Sequence, residues 1–377
     1  MKHASNTETV DLSGVAFPMK SIHLLIIASV LCGSLAYGQE EQSSSSALNL
    51  TIGHTGLSFG NSSRINGIRI NWSDSGLDEI NGINFTLWKP SEKDPGGDIN
   101  GLALGLVAPA AGNLRGISIT PGAVLAGMSM NGIQIGGLAL VSQGSINGIS
   151  IAGLASVAQG NISWIAIGGL ATVAQGDIDG FAIGGLATVA QGSVQGFSIG
   201  TLASVTQGSL WGFSIGGLAS VTQGSLTGIS MGGLATVVQG DLSGFAFGGL
   251  AVVSQGSISG IDFAGLAIVG PQSVSGMNFT LGQIKSDAGV NGLNIAGYKI
   301  EGRTVQGLNL GVGWTESENI GYLTVAAYNR TYDTQTGLTI GIFNHTHNLA
   351  GIQIGLLNYV ETNPAPFRYL PLINANF

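Results

Sequence analysis

Charged side chains are scarce in this sequence, and the shortage of cationic side chains excludes two classes of partner. Asp, Glu, Lys and Arg together make up 8% of the 377 residues, about a third of the usual share. No lysine or arginine occurs between Arg115 and Lys285. A nucleic-acid groove needs clustered cations, and so does attraction to an anionic membrane surface. The sequence therefore predicts neither partner.

Cysteine is almost absent. The one cysteine, Cys32, lies within residues 19–38, which have the pattern of a secretory signal peptide. Lys20 is the basic start, an apolar stretch follows, and a small-residue cleavage site ends at Gly38. An exported chain that begins at Gln39 would contain no disulfide, so its stability must come from stacking.

The same pattern sets the predicted domain organisation. Residues 1–18 precede the signal peptide and are expected to be an extension outside the mature protein. Residues 39–47 include four consecutive serines and are expected to be a flexible linker. Residues 48–377 are then one repeat domain, which is most regular over 132–275 and ends in looser repeats and a cap over 276–377.

Side chains typical of catalytic and metal sites are few. His345 and His347 stand two apart in an expected polar loop, and no cysteine or aspartate neighbour completes the three or four ligands that a metal needs. Asp177 and Asp179 place two carboxylates on one strand face, but a hydrolase would need a cleft around them. We expect a solvated turn there. The sequence therefore predicts no enzyme, no cofactor and no metal.

What the sequence has in abundance is glycine, in a fixed repeat. A Gln-Gly pair recurs every 16 residues, eight times, and a Gly-Gly-Leu-Ala segment lies between most pairs. A short fixed period indicates one small unit stacked on copies of itself. The glutamines of the eight pairs are Gln143, Gln159, Gln175, Gln191, Gln207, Gln223, Gln239 and Gln255.

A second glycine marks each unit. It opens a Gly-[Ile/Leu]-x-[Ile/Phe/Leu] signature that begins at Gly67 and continues in 16-residue steps from Gly116 to Gly292, with Trp164 in the glycine position once. Looser copies are predicted further along, at Gly307, Gly321, Gly337 and Gly351.

The pattern within one unit predicts strands. Phe181 and Ile183 alternate with Ala182 and Gly184, which is the two-residue period of a strand, and glycine is too dense for helices. Gly-Gly and Gln-Gly are turn dipeptides, so each unit has two short strands and two turns. Five bulky side chains are expected to point inward and leave a Ser/Thr/Ala-rich face outside. They are Ile178, Phe181, Ile183, Leu186 and Val189.

Two all-β architectures fit these units. One is a β-solenoid with rungs of about 16 residues, and the other is an outer-membrane β-barrel with one strand per repeat. Barrel strands alternate in direction, so their natural repeat is a hairpin of 32 residues, whereas units here resemble their immediate neighbours. The terminal alternation towards Phe377 supports a barrel strand, although Pro371 interrupts it. The period favours the solenoid.

Two tryptophans break the repeat and are the candidate contact residues. Trp211 takes a position that Asp179 and Gln195 hold in other units, and this position should face outward. Trp164 replaces a glycine. An exposed aromatic side chain can form a contact point for a partner or a glycan.

The C-terminal units resemble a known family. Gly337 to Asn344 and Gly351 to Asn358 each read Gly-x-x-Ile-Gly-x-x-Asn, and a Pro-rich tail follows from Asn363. These units are similar to the surface-repeat-containing proteins of leptospires and Bacteroidetes. The resemblance implies an exported, surface-associated protein, and it supplies no catalytic residues.

Together these observations predict an exported, non-enzymatic protein of the cell surface or envelope with a structural, adhesive or shielding role. Its partner would be another surface or envelope component, and association with the outer membrane is part of the expectation. The alternative function, which follows from the barrel architecture, is a pore.

Overall fold

The computed structural model describes residues 47–377, which form strands and turns and no helix. The predicted extension, the signal peptide and the linker up to residue 46 lie outside these residues. A hairpin of β1 (Ala47–Ile52) and β2 (Thr55–Gly60) begins the fold. A stack of parallel strands then runs without a break to β28 (Lys299–Val360), and β29 (Tyr369–Asn376) ends it.

The stack has two kinds of strand. The longer strands are β3 (Arg64–Asn71), β4 (Glu79–Thr86), β5 (Asp98–Gly105), β6 (Ala110–Thr120), β7 (Ala123–Gly136), β9 (Ser145–Ala152), β11 (Ile162–Gly168), β13 (Ile178–Gly184), β15 (Val194–Gly200), β17 (Leu210–Gly216), β19 (Leu226–Gly232), β21 (Leu242–Gly248), β23 (Ser257–Ala264), β25 (Ser273–Thr280) and β27 (Gly289–Ala296). The shorter strands are β8 (Ala139–Ser142), β10 (Ala155–Ala158), β12 (Ala171–Ala174), β14 (Ala187–Ala190), β16 (Ala203–Thr206), β18 (Ala219–Thr222), β20 (Ala235–Val238), β22 (Ala251–Ser254), β24 (Ala267–Val269) and β26 (Gln283–Lys285).

The strand register confirms the predicted β-solenoid. Ile178 pairs with Val194 in parallel, and Ala187 pairs with Ala203, so each residue lies beside its equivalent 16 positions later. The alternative architecture required antiparallel neighbours throughout and is wrong. Antiparallel pairing occurs among residues 47–377 only at the two ends, between β1 and β2 and between β28 and β29.

The closing strand β29 is irregular where the sequence has a proline. Its register against β28 shifts between Gly355 and Asn358, because Leu372 pairs with Gly355 and Leu370 pairs with Asn358. Pro371 lies between those two partners, and proline cannot donate to a strand ladder. The antiparallel strand nevertheless covers the last parallel edge, as a cap of a stacked array should.

The second glycine of each unit lies within a longer strand, in a backbone conformation that favours glycine. Gly180 has φ +126°, and a Cβ there would lie 2.2 Å from the carbonyl oxygen of Trp164 on the neighbouring turn. Trp164 pairs with Gly148 and Gly180, so its predicted place in the glycine position is confirmed. The looser copy predicted at Gly321 is off by one residue, because Tyr322 takes that position with φ +67°.

The predicted inward set is wrong for most of the unit. Ile178 is buried as expected, but Phe181 is 47% exposed and Leu186 is 46% exposed. Ile183 and Val189 are half-buried on the outer surface. The side chains that fill the interior of this turn are instead those of Ile178, Ala182, Thr188 and Ala190.

The narrow cross-section explains this reversal. A Cβ added at Gly184 would lie 1.8 Å from the carbonyl oxygen of Ala187, so the two strands of one turn nearly touch at this corner. A second interior column contains large side chains only towards its ends, at Leu140, Ile268, Ile284 and Ile300. Only one interior column has a large side chain in every turn. This aliphatic column contains Ile65, Ile80, Ile99, Leu114, Met130, Ile146, Ile162, Ile178, Val194, Leu210, Leu226, Leu242, Ile258, Val274, Val290, Val305 and Ile320.

In the central turns around Thr188, small residues fill the other interior positions, and many of them carry hydroxyl groups. Thr188 donates through Oγ1 to the carbonyl oxygen of Ile199 at 2.7 Å. Ser214 donates to Ser204 at 3.0 Å, and its hydroxyl lies 2.9 Å from that of Ser220. Because these buried hydroxyls find partners between turns, the interior can be polar without a large desolvation cost.

Two isoleucines of the same turn test which face is buried. We expect Ile178→Ala to lower the free energy of unfolding by about 2–5 kcal/mol, because it opens a cavity in the aliphatic column. Ile183→Ala on the outer surface should cost less than about 1 kcal/mol. Urea unfolding followed by circular dichroism measures both. An equal loss, or a larger loss at Ile183, would contradict the inside-outside assignment.

Candidate interaction surfaces

A row of leucines forms one edge of the solenoid. Leu186 follows the Gly-Gly turn that joins β13 to β14, and the same turn recurs on every neighbouring unit. The leucines of this row are 40–60% exposed. We name the row the leucine edge. Its members are Leu138, Leu154, Leu170, Leu186, Leu202, Leu218, Leu234, Leu250 and Leu266.

The backbone amides at the leucine edge are paired between turns. Leu186 donates its N–H to the carbonyl oxygen of Leu170 at 2.7 Å, and Gly185 donates to Gly168 at 2.9 Å. Ala187 also donates to the carbonyl of Leu170, at 3.1 Å. These turns therefore expose apolar side chains without exposing unpaired N–H groups.

Both flanks of the leucine edge are apolar. On one side, the outer face of β13 carries Phe181 and Ile183. Phe181 stacks on Phe197 of the next turn, with ring centroids 4.5 Å apart and an interplanar angle of 4°. On the other side, the outer face of β14 carries Val189. The apolar surface therefore wraps around the edge instead of lying on one flat face.

The Gln-Gly turns form the opposite edge, which is polar. Of the eight glutamines, Gln207 is half-buried and the other seven are exposed. We name this row, together with the Ser, Asn or Asp that follows each Gln-Gly pair, the glutamine edge. Asp177 belongs to it and accepts the N–H of Ser193 at 2.7 Å, while its own N–H is donated to Asn161 Oδ1 at 2.9 Å.

This bond explains the choice of residue at the Asp177 position. A side-chain oxygen there accepts the N–H of the residue 16 positions later, so serine, asparagine and aspartate serve equally. Asp241 does the same for Ser257, at 2.8 Å. Asp179 is exposed on β13, whereas Asp177 lies in the turn before that strand, so the expected pair of carboxylates on one strand face is wrong. The predicted solvated turn agrees with this geometry.

Exposed charge in the central turns lies on the polar side. Between Arg115 and Lys285 the sequence has four charged residues, all aspartates. Asp177 and Asp241 lie on the glutamine edge, and Asp179 lies beside it. The fourth, Asp262, is buried. The leucine edge and its flanks therefore carry no charge in these turns.

The two candidate tryptophans are both exposed. Trp211 is 65% exposed and pairs in register with Gln195 and Thr227, so its predicted outward position is confirmed. Trp164 is 71% exposed, and its φ of +86° turns the side chain out of a position that would otherwise point inward. Their role as contact residues stays a prediction.

His345 and His347 lie within β28 and not in a loop, as the sequence had suggested. Glu361 bridges them, with Oε1 at 2.8 Å from His345 Nε2 and Oε2 at 2.9 Å from His347 Nδ1. The hydrogen bonds from His347 and His345 lower the pKa of Glu361. Within residues 47–377 no group of three or more His, Cys, Asp or Glu side chains is arranged to hold a metal ion.

One interior position carries chemistry that the sequence analysis missed. Asp262 occupies the inward position that Ala246 holds one turn earlier and Asn278 one turn later, and it is fully buried. Asn278 starts a ladder: its Nδ2 donates to Asn294 Oδ1 at 2.8 Å, and Asn294 donates to Asn309 Oδ1 at 2.8 Å. A lone acid among alanine, serine and asparagine equivalents was visible in the sequence.

The start of this ladder lacks a donor. Neither carboxyl oxygen of Asp262 has a hydrogen-bond partner within the described residues, and neither does Asn278 Oδ1. The protonated acid can donate to Asn278 Oδ1, whereas the carboxylate cannot. Burial raises the pKa of Asp262 to about 7. Two other charged side chains are buried among residues 47–377, Arg69 and Asp74. They pair with each other at 2.8 Å near the N-terminal end of the stack.

The raised pKa predicts how stability depends on pH. Asp262 holds its proton in the folded state up to about pH 7 and releases it near 3.8 when unfolded. Its stabilising contribution is therefore complete below the lower value and lost as pH rises through the upper one, a change on the order of 4 kcal/mol. Asp262→Asn, which extends the ladder without a charge, should remove this dependence and be more stable than the native chain at pH 8.

The measurement is urea unfolding of both proteins between pH 5 and pH 8. The difference between them isolates residue 262, because His345 and His347 are common to both. Parallel pH profiles for the two proteins would contradict the assignment of Asp262 as a buried acid.

Comparison of the chain with protein-family models, with curated proteins and with solved structures returns no match. Residues 47–377 contain no helix long and apolar enough to cross a membrane.

Proposed function

We propose that this chain is an exported, non-enzymatic repeat protein of the cell envelope with a structural role. The observation that carries the proposal is the repeated two-edged surface. Nine turns present a leucine at one edge, and eight of them present a Gln-Gly glutamine at the other. A surface that repeats in every turn suits an extended contact more than a single small ligand.

Two features of the sequence support the location. Residues 19–38 have the pattern of a signal peptide. The units that begin at Gly337 and Gly351 resemble proteins of the bacterial surface. Both features stand apart from the two-edged surface, so they support the proposal independently.

The outer surface refines the expected role. A Ser/Thr/Ala-rich face was the basis for an adhesive or shielding role, but in the folded chain most of those residues are interior. The apolar edge instead supports a role at an interface between an apolar layer and water. Its contribution there would be mechanical: a rod of stacked turns with a constant spacing of about 4.8 Å.

Cell fractionation tests the proposal. We expect the protein in the envelope fraction with Gln39 as its N-terminus, as determined by mass spectrometry. Detergent should release it and 1 M salt should not, because the central turns carry only three charges outside the interior, the half-buried Asp177 and the exposed Asp179 and Asp241. An uncleaved chain in the cytoplasmic fraction would overturn the proposed export, and release by salt alone would overturn the apolar attachment.

A further inference from the structure

We propose that the leucine edge and its two flanks contact lipid directly. The solenoid would lie along the surface of a lipid layer, with the leucine edge among the acyl chains and the glutamine edge in water. This inference deepens the proposed function. It rests on that proposal only for the cellular location of the lipid, which is the cell envelope. The partner is neutral hydrocarbon, not a specific headgroup.

The first support is the extent of the apolar surface. The leucine edge runs through nine turns from Leu138 to Leu266, which at about 4.8 Å per turn is close to 40 Å. Phe181 is 47% exposed on one flank, and its equivalents in other turns include Phe197 at 40% and Ile229 at 38%. Soluble monomers rarely expose a continuous apolar patch of this kind without a partner.

The second support is the pairing of the backbone. A turn that enters an acyl-chain region must not carry unpaired N–H groups, because no water is present to bond them. At the leucine edge, Gly185, Leu186 and Ala187 all donate to carbonyl oxygens of the preceding turn, at 2.9, 2.7 and 3.1 Å. The same three bonds recur around Leu218, Leu234 and Leu250, and two of them recur around Leu202. The N–H groups of these turns can therefore lose their water without losing hydrogen bonds.

The third support is the position of the charges. Asp177, Asp179 and Asp241 lie at or beside the glutamine edge, on the side that the proposed orientation leaves in water. With no cation between Arg115 and Lys285, these turns have nothing to attract anionic headgroups. Binding should therefore need apolar contact and not a negative membrane.

The shape favours lipid over a second copy of the chain. Val189 lies on one flank of the leucine edge, and Phe181 and Ile183 lie on the other. A rigid partner that packs against one flank leaves the other exposed. A fluid layer covers the edge and both flanks at once, as it does for an amphipathic helix at an interface.

Flotation with phosphatidylcholine vesicles tests the proposal. The purified protein should float with the vesicles at both low and high salt. The triple variant Leu186→Gln, Leu202→Gln and Leu218→Gln should bind at least about tenfold more weakly, because three half-exposed leucines lose their apolar contact. The matched control, Gln175→Ser, Gln191→Ser and Gln223→Ser, should bind as the native protein does. Unchanged circular dichroism would show that both variants fold.

Orientation provides a second readout. In vesicles that contain brominated lipid, a Leu202→Trp side chain should be quenched by the bromine, while Trp211 on the polar side should not. Because the native chain has five tryptophans, the comparison uses two single-tryptophan proteins, one with Trp211 alone and one with Leu202→Trp alone, in which the other tryptophans are replaced by Phe. Equal quenching at both positions would contradict the proposed orientation.

Other outcomes overturn the proposal and leave the proposed function open. Lipid contact at the leucine edge would be excluded if the native protein failed to float. It would also be excluded if the Gln→Ser control weakened vesicle binding as much as the Leu→Gln variant does. A discrete dimer in analytical ultracentrifugation that the leucine variants abolish, without flotation, would make the edge a contact between copies. A cytoplasmic location would overturn the proposed function but would not change the vesicle result.

Discussion

The close parallel ladder between units 16 residues apart is the constraint on which the rest of the structure depends. It brings equivalent backbones together in every turn, as for Gly184 and Gly200. It also holds the two strands of one turn so near each other that a Cβ on Gly184 would lie 1.8 Å from the Ala187 carbonyl oxygen. In this turn large side chains have room inside only in the aliphatic column, so Phe181 and Leu186 point outward. The apolar exterior therefore follows from the width of the turn.

The same constraint makes the interior polar. Small residues remain for the inward positions of this turn and its neighbours, and hydroxyls such as those of Thr188 and Ser214 find carbonyl or hydroxyl partners on neighbouring turns. An asparagine ladder uses the same spacing between Asn278 and Asn309. Asp262 is the exception, since an ionised carboxyl has no proton to give the ladder. A buried acid at this position is compatible with the fold when it is neutral.

The sequence predicted the repeat, the strands and their parallel stacking, because these depend on period and on glycine. It could not predict which face of each strand is inside. Hydrophobicity alone assigns Phe181 and Leu186 to a core, and only the width of the turn moves them outside. The exact position of Tyr322, one residue after Gly321, was hidden because the repeat loosens there. His345 and His347 were expected in a loop because their neighbours are polar. They lie on a strand, since polar residues are also tolerated on an exposed strand.

Cysteine pairs would test the parallel register most directly, in a chain whose Cys32 is replaced by Ser. Val189 and Val205 are paired in register on neighbouring turns, whereas Val189 and Val221 are two turns apart. Neighbouring strands are about 4.8 Å apart, within the range for a disulfide, and two turns are not. The account predicts that Val189→Cys with Val205→Cys cross-links under mild oxidation and that Val189→Cys with Val221→Cys does not. The opposite result would contradict the stacked parallel turns.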